Sequence, residues 1–144
     1  MGQKARYEFL DHTADAKFRA YGDTLEEAVS NAALALASLI WDGRLLGKPE
    51  SRTVEIEGRS LEQLVVHTLD EIIYLLETEG FLLAEASNAK ISRGPDESWR
   101  LKAVFQGEHI SDKHGLRSGA KAVTYNELEI KRDGEVTIQV VVDV

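Results

Sequence analysis

The segment Asp-His-Thr-Ala-Asp at 11–15 concentrates two carboxylates, an imidazole and a hydroxyl just before a predicted strand. Oxygen-rich groups of this kind are the ligands that hard cations such as Ca²⁺, Mg²⁺ and Mn²⁺ prefer. The alternative is a polar turn in which the Asp11 side chain accepts hydrogen bonds from backbone amides. The spacing alone leaves both interpretations open.

The end of the chain carries a second pair of acidic groups. The β-branched run that leads up to it predicts a strand over 135–142 that stays ordered almost to its last residue. The Asp143 side chain then lies next to the α-carboxylate of Val144, and two adjacent anions cost free energy unless a cation or basic group neutralises them. A frayed, solvated end is the alternative.

A third candidate is Lys121, which leaves a loop predicted over 107–121 and enters a strand. Compact domains rarely keep so long a loop unless it is functional or mobile. The loop carries a small basic group, Lys113, His114 and Arg117. Lys121 is either a solvated charge at a sheet edge or, if the loop folds over the carboxylates, part of their site.

Other chemistries find little support in the sequence. There is no cysteine, which excludes disulfides, a thiol nucleophile and a thiolate zinc site. The spacing of His109 and His114 matches no zinc pattern, and His67, inside a predicted helix, is interpreted as structural. No Gly-rich phosphate loop and no Ser-His-Asp elbow occurs. Asp23 is most simply an acidic residue at a helix N-terminus, where the helix dipole favours it.

The elements that position these groups are two helices and a series of strands. Thr24-Leu-Glu-Glu27 and Ser60-Leu-Glu-Gln63 are capping boxes, each followed by an apolar stripe at helical spacing. The first helix is expected to end near 41–43 and the second at Gly80. Asp133-Gly134 predicts a tight hairpin turn with positive φ. Strands are predicted over 16–21, 52–57, 81–91, 99–106, 123–131 and 135–142, and those over 16–21, 52–57 and 99–106 show the alternation of a half-buried strand.

This order predicts the α+β class, a two-layer sandwich in which two amphipathic helices pack on a largely antiparallel sheet. The length of 144 residues and the absence of a linker or repeat predict a single domain over 1–144. No apolar stretch is long enough to cross a membrane and no signal pattern is found at the start, so we expect a cytoplasmic protein.

The charge balance constrains the partners. The chain has 17 Lys plus Arg against 25 Asp plus Glu, a formal net charge of −8. A protein that grips nucleic acid by itself normally presents a basic face. Cations or a basic protein surface are therefore the more natural partners.

Three segments together resemble the archease family: Tyr-Glu-Phe-Leu-Asp-His-Thr-Ala-Asp at 7–15, Tyr-Gly-Asp-Thr-Leu-Glu-Glu-Ala at 21–28, and Lys-Ala-Val-Thr-Tyr at 121–125 with a closing Val-Val-Asp-Val at 141–144. The resemblance extends from end to end of the chain. One departure is Asn126, which stands where the family usually has a histidine, so a role for an imidazole there is not carried over.

The resemblance implies a non-enzymatic cofactor of the RtcB-type RNA ligase, a manganese enzyme that uses GTP to join RNA ends in tRNA splicing and RNA repair. Such a cofactor speeds ligase guanylylation, permits multiple turnover and broadens nucleotide use, and meets tRNA only through the ligase. The alternatives are a metal-dependent phosphoesterase that acts by itself and a general chaperone or scaffold, which predicts a sizeable exposed apolar patch.

By the same resemblance, a divalent cation is held by Asp15, Asp143 and Val144, and Asp11, Asp23 and Lys121 are candidates for ligase activation. Ca²⁺ is the ion expected for the isolated protein, with Mn²⁺ or Mg²⁺ as alternatives. Lys121 is expected to contact phosphate. The sequence does not indicate the oligomeric state.

Overall fold

The structure, a computed structural model, describes residues 5–12, 14–41, 47, 49–111 and 120–144. The described residues form seven strands and two helices, in the order β1 (Tyr7–Leu10), β2 (Ala16–Gly22), α1 (Leu25–Ile40), β3 (Glu50–Gly58), α2 (Leu61–Glu79), β4 (Phe81–Arg93), β5 (Trp99–His109), β6 (Ala122–Lys131) and β7 (Val136–Asp143).

The strands form two antiparallel sheets, one ordered β1-β2-β7-β6 and the other β3-β5-β4. The predicted α+β class is confirmed. The division into two sheets is not indicated by the sequence, and neither is β1. This strand has only four residues, whose burial does not alternate, so it lacks the periodic signal of a half-buried strand.

Both helices begin as the capping boxes predict. The Thr24 hydroxyl accepts a hydrogen bond from the Glu27 N–H at 3.1 Å, and the Ser60 hydroxyl accepts one from the Gln63 N–H at 3.0 Å. α1 ends before Trp41, and α2 ends at Gly80, whose left-handed φ of 63° is the usual helix stop.

The helices join the two sheets. α1 packs on β2 of the first sheet and β4 of the second, whereas α2 packs on β3 of the second sheet and β6 of the first. The buried apolar side chains of both helices and both sheets form one cluster. Its largest fully buried members include Phe18, Trp41, Leu69, Phe105 and Ile138.

Strand β7 lies inside the first sheet and divides its side chains between two faces. Val136, Ile138, Val140 and Val142 belong to the core cluster. Thr137, Gln139, Val141 and Asp143 therefore point to the other face, because neighbouring strand residues alternate. The hairpin from β6 to β7 contains Gly134 with a φ of 79°, which confirms the predicted positive φ.

None of the described helices is long and apolar enough to cross a membrane. The prediction of a single domain over 1–144 stays a prediction.

We predict that Gly58→Ala destabilises the protein by about 2–3 kcal/mol, because overpacking against rigid atoms is costly. A Cβ at Gly58 would lie 2.5 Å from the backbone nitrogen of Leu64 and 2.8 Å from its Cα, at the start of α2. Gly134→Ala is the matched control, since a Cβ there meets nothing within 4 Å. Its cost is the positive φ alone, about 1 kcal/mol. Equal losses of unfolding free energy in urea would contradict this account of how β3 meets α2.

Candidate functional site

The pairing of β2 with β7 places the start of β2 beside the C-terminal end of β7. Ala16 lies opposite Val142 in this antiparallel pair. The two Cα atoms of a pair such as this one are about 4.5–5.5 Å apart, and Asp15 and Asp143 are the next residue on each strand, just beyond the last position of the register. Val144 follows directly. We call these three residues the acidic end.

Lys121 lies at the same end of the sheet. Its backbone N–H donates to the carbonyl oxygen of Asp143 at 2.7 Å, and the next residue, Ala122, is paired with Asp143 across β6 and β7. The acidic end is therefore flanked by a lysine whose side chain is exposed to solvent.

Asp11 is near this end, whereas Asp23 is not. β1 finishes at Leu10, opposite Lys17, so Asp11 is exposed beside the start of β2. Asp23 follows the other end of β2. It is seven residues from Ala16, the first residue of that strand, which corresponds to about 23 Å at the rise of an extended strand. Its backbone N–H donates to a Glu27 carboxylate oxygen at 3.4 Å, at the start of α1. The structure thus does not bring Asp23 into the acidic end.

A cluster next to the acidic end was not expected from the sequence. The two carboxylate oxygens of Glu127 accept separate hydrogen bonds, one from His12 Nε2 at 2.9 Å and one from Lys17 Nζ at 3.0 Å. The other ring nitrogen of His12, Nδ1, is 3.9 Å from an Asp15 carboxylate oxygen. We call His12, Lys17 and Glu127 the clamp cluster.

Glu127 reaches this position because β6 bulges. The pairing of β6 with β7 passes from Thr124 opposite Val141 to Glu129 opposite Gln139, so β6 uses five steps where β7 uses two. Glu127 lies within the bulge with a φ of 53°. No glycine or proline marks this bulge, which explains why sequence reasoning missed it.

Charge is unevenly compensated here. Two hydrogen bonds hold the pKa of the Glu127 carboxyl below its ordinary value. The one from His12 has the larger effect and the one from Lys17 the next largest. In the part of the chain that the structure describes, the Asp143 carboxylate forms no ion pair. The Nζ of Lys17, a residue that lies opposite Val141 in the pairing of β2 with β7, is hydrogen-bonded to Glu127 and is therefore engaged outside the pair of aspartates.

The donor chemistry of the acidic end suits a hard cation, because all its donors are oxygens. It is not a complete side-chain site: among the described residues, no three His, Asp or Glu side chains form a group that could hold a metal ion. The set implied by the resemblance contains two such side chains, Asp15 and Asp143, and takes its third donor from the carboxylate of Val144.

Some candidate residues do not contribute to this end. Nδ1 of His67 is 2.8 Å from the Glu57 carbonyl oxygen, and Nδ1 of His109 is 3.2 Å from that of Gly80, which are structural contacts. Asn126 is exposed in the bulge. Thr13 and the loop residues Lys113, His114 and Arg117 lie outside the described residues.

Fold and site together define an α+β protein of two antiparallel sheets with carboxylates gathered at one end of a central strand. A model of the Archease protein family (MTH1598/TM1083) matches residues 7–144. The chain belongs to the archease family.

Individual relatives agree with this assignment over nearly their full length. The protein archease of Pyrobaculum neutrophilum is 38% identical, with 99% of this chain and 98% of that protein covered. That of Pyrococcus abyssi is 36% identical, with 96% and 99% covered. The solution structure of Methanobacterium thermoautotrophicum protein 1598 superposes with a TM-score of 0.82 at 35% identity, covering 96% of this chain and 99% of that one.

We predict that Glu127→Gln lowers stability at neutral pH and that the difference from the parent closes in acid. A carboxyl whose pKa is lowered by folding stabilises the folded state fully above its unfolded value, 4.5 for glutamate, and loses this contribution as the pH falls through the folded value. Urea unfolding between about pH 6 and about pH 3 measures the difference. A difference that stays constant over this range would contradict the prediction.

Proposed function

We propose that this protein activates an RtcB-type RNA ligase in tRNA splicing and RNA repair, as an accessory protein and not as an enzyme. Membership of the archease family over residues 7–144 is the observation that carries the proposal. The activation consists of faster ligase guanylylation, multiple turnover and broader nucleotide use.

The acidic end is proposed to work through a divalent cation held by Asp15, Asp143 and the carboxylate of Val144. Two observations support this: the register of β2 and β7 makes the two aspartates neighbours, and every donor is an oxygen. When bound, the ion neutralises most of the negative charge that these residues bring together. Ca²⁺ is the ion proposed for the isolated protein, and Mn²⁺ or Mg²⁺ are the alternatives.

The residues around the acidic end are assigned supporting roles. Lys121, held beside Asp143 by its backbone hydrogen bond, is suited to contact phosphate at the ligase. Asp11 is exposed at the same end and is proposed to touch the ligase there. Asp23 lies at the opposite end of β2, so any part it has in activation belongs to a separate contact.

The charge of the protein supports a protein partner. A net charge of −8 favours docking on a basic, RNA-binding enzyme over direct binding of RNA. RNA is then met through the ligase. We propose a cytoplasmic location and no role for a membrane.

The two alternatives gain no specific support. In the described part of the chain, the exposed large hydrophobic residues are Phe9, Tyr74, Tyr125 and Val144. Four such residues give no specific support to the sizeable apolar patch that a chaperone would need. The phosphoesterase alternative rests on the same carboxylates as the cation site, and the experiment below distinguishes it.

We predict that Asp143→Asn reduces the stimulation of guanylylation of a purified RtcB-type ligase by roughly tenfold or more, since even the loss of a residue that only orients a metal ligand typically costs about 10–100-fold. The matched control is Asp133→Asn, which removes the same charge in the turn before β7, at the far end of that strand. The measurement compares RNA joining and guanylylation at limiting ligase, with each variant and without any.

Undiminished stimulation by Asp143→Asn would refute the role of the acidic end. The parent protein, incubated without ligase but with cyclic phosphates, model phosphodiesters and Ca²⁺ or Mn²⁺, is expected to show no turnover. Metal-dependent turnover that is lost in Asp143→Asn but kept in Asp133→Asn would favour the phosphoesterase alternative.

A further inference from the structure

The connection between β1 and β2 is held in a conformation that its own residues do not favour. Ala14 has a φ of 70°, the left-handed region that residues with a side chain rarely adopt. An alanine has no polar group with which to compensate this cost locally. Strain of this kind persists only where surrounding contacts impose it, and Asp15 is the next residue.

The clamp cluster supplies such contacts from a strand that is not a neighbour. β2 and β6 are separated by β7 in the sheet. The Glu127 side chain nevertheless bonds both to His12, before Ala14, and to Lys17, after it. One carboxylate thus ties the two sides of the strained connection to the same point on β6.

The bulge in β6 is what allows this reach. Between its two paired parts, β6 has three residues more than β7 has over the same stretch. This excess brings Glu127 to Lys17 across the outer face of β7. Val141, which lies on that face between Lys17 and Thr124, is only 1% exposed. The side chains of a regular strand stand roughly perpendicular to the sheet, whereas a bulge bends the strand and re-aims a side chain, here that of Glu127 over β7.

A buried amide in turn fixes the bulge. Gln139, 7% exposed, donates from Nε2 to the carbonyl oxygen of Glu127 at 2.8 Å. Its Oε1 accepts a hydrogen bond from Arg19 Nε at 3.0 Å. The amide therefore has a defined orientation, and it holds the backbone of Glu127, which is itself left-handed with a φ of 53°.

We infer that Glu127 is a positioning residue: through His12 and Lys17 it sets the direction in which Asp15 faces Asp143. This inference rests on the proposed cation site, and it assigns to the β6 bulge a role that the carboxylates alone do not require. An ordinary surface ion pair contributes little. The interaction of Glu127 differs because both of its carboxylate oxygens accept hydrogen bonds and because the donors, His12 and Lys17, lie on either side of the strained Ala14.

The test compares Glu127→Gln with Glu129→Gln. Glu129 lies in the same strand, is paired with Lys131 at 3.1 Å and stands opposite Gln139, well away from Asp143. Both variants remove one negative charge from β6, and a glutamine at 127 keeps the size of the side chain. Any difference between them therefore reports on the position of the charge and not on net charge.

The first readout is NMR of the metal-free proteins. In the parent, the neutral His12 ring is expected to carry its proton on Nε2, because that nitrogen faces a carboxylate. Glu127→Gln should weaken this tautomer preference, visible in the ring carbon and nitrogen shifts, and should move the amide signals of Ala14 and Asp15. Glu129→Gln should leave both unchanged.

The second readout is Ca²⁺ affinity by calorimetry at low salt and at about 0.5 M KCl, where the charge of a distant group is screened. Glu127→Gln should bind roughly tenfold more weakly at both salt concentrations, the lower end of the range for residues that orient ligands. The Glu129→Gln protein should match the parent at high salt.

The two proposals can fail separately. If the parent binds no Ca²⁺, Mn²⁺ or Mg²⁺, the cation site is wrong, and the NMR comparison alone decides the role of Glu127. If the parent binds but the two variants have equal affinities at high salt, or if neither perturbs His12 and Asp15, Glu127 is not a positioning residue.

Discussion

Strand β7 pairs antiparallel with β2 on one side and with β6 on the other, while its inward side chains are buried in the core. The position of the acidic end depends on this double pairing. A slip of one residue would turn the inward-facing side chains of β7 outward, since side chains alternate along a strand. It would place Gln139 in the core in place of Ile138 and move Asp143 out of line with Asp15. The core therefore fixes where the carboxylates meet.

The forces involved are unequal. Two carboxylates about 4 Å apart in water repel by about 1 kcal/mol. Burying one valine or isoleucine side chain contributes about 1.5–3 kcal/mol, and β7 buries four inward-facing ones. Hydrophobic burial thus sets the register even though it brings Asp15 and Asp143 together, and the fold tolerates a repulsion that a cation could relieve. The clamp cluster is a second, polar constraint on the same end. We infer that it acts on the direction of Asp15 more than on the register of β2 with β7.

Much of the framework follows from local signals in the sequence. The hydroxyls of Thr24 and Ser60 mark the two helix starts, and Gly134 marks the last hairpin. The convergence of Asp15 with Asp143 was implied by the family resemblance and not by any local pattern, because strand pairing joins residues distant in sequence.

Three features could not be predicted, each for a physical reason. The separation of the strands into two sheets depends on which strands pair with one another, and pairing joins residues that are distant in sequence. β1 is too short and too exposed to show periodicity. Within the bulge, Glu127 adopts a left-handed φ although it is not a glycine, and the buried Gln139 holds its backbone. The types of the neighbouring residues indicate neither feature.

The most direct test of the central claim, that Asp15 and Asp143 share one cation, is a double-mutant cycle of Ca²⁺ binding measured by calorimetry. Asp15→Asn and Asp143→Asn should each weaken binding strongly. Because both would ligate the same ion, the double variant should lose much less than the sum of the two binding free-energy changes. Strictly additive losses, or a single variant that binds like the parent, would contradict the claim.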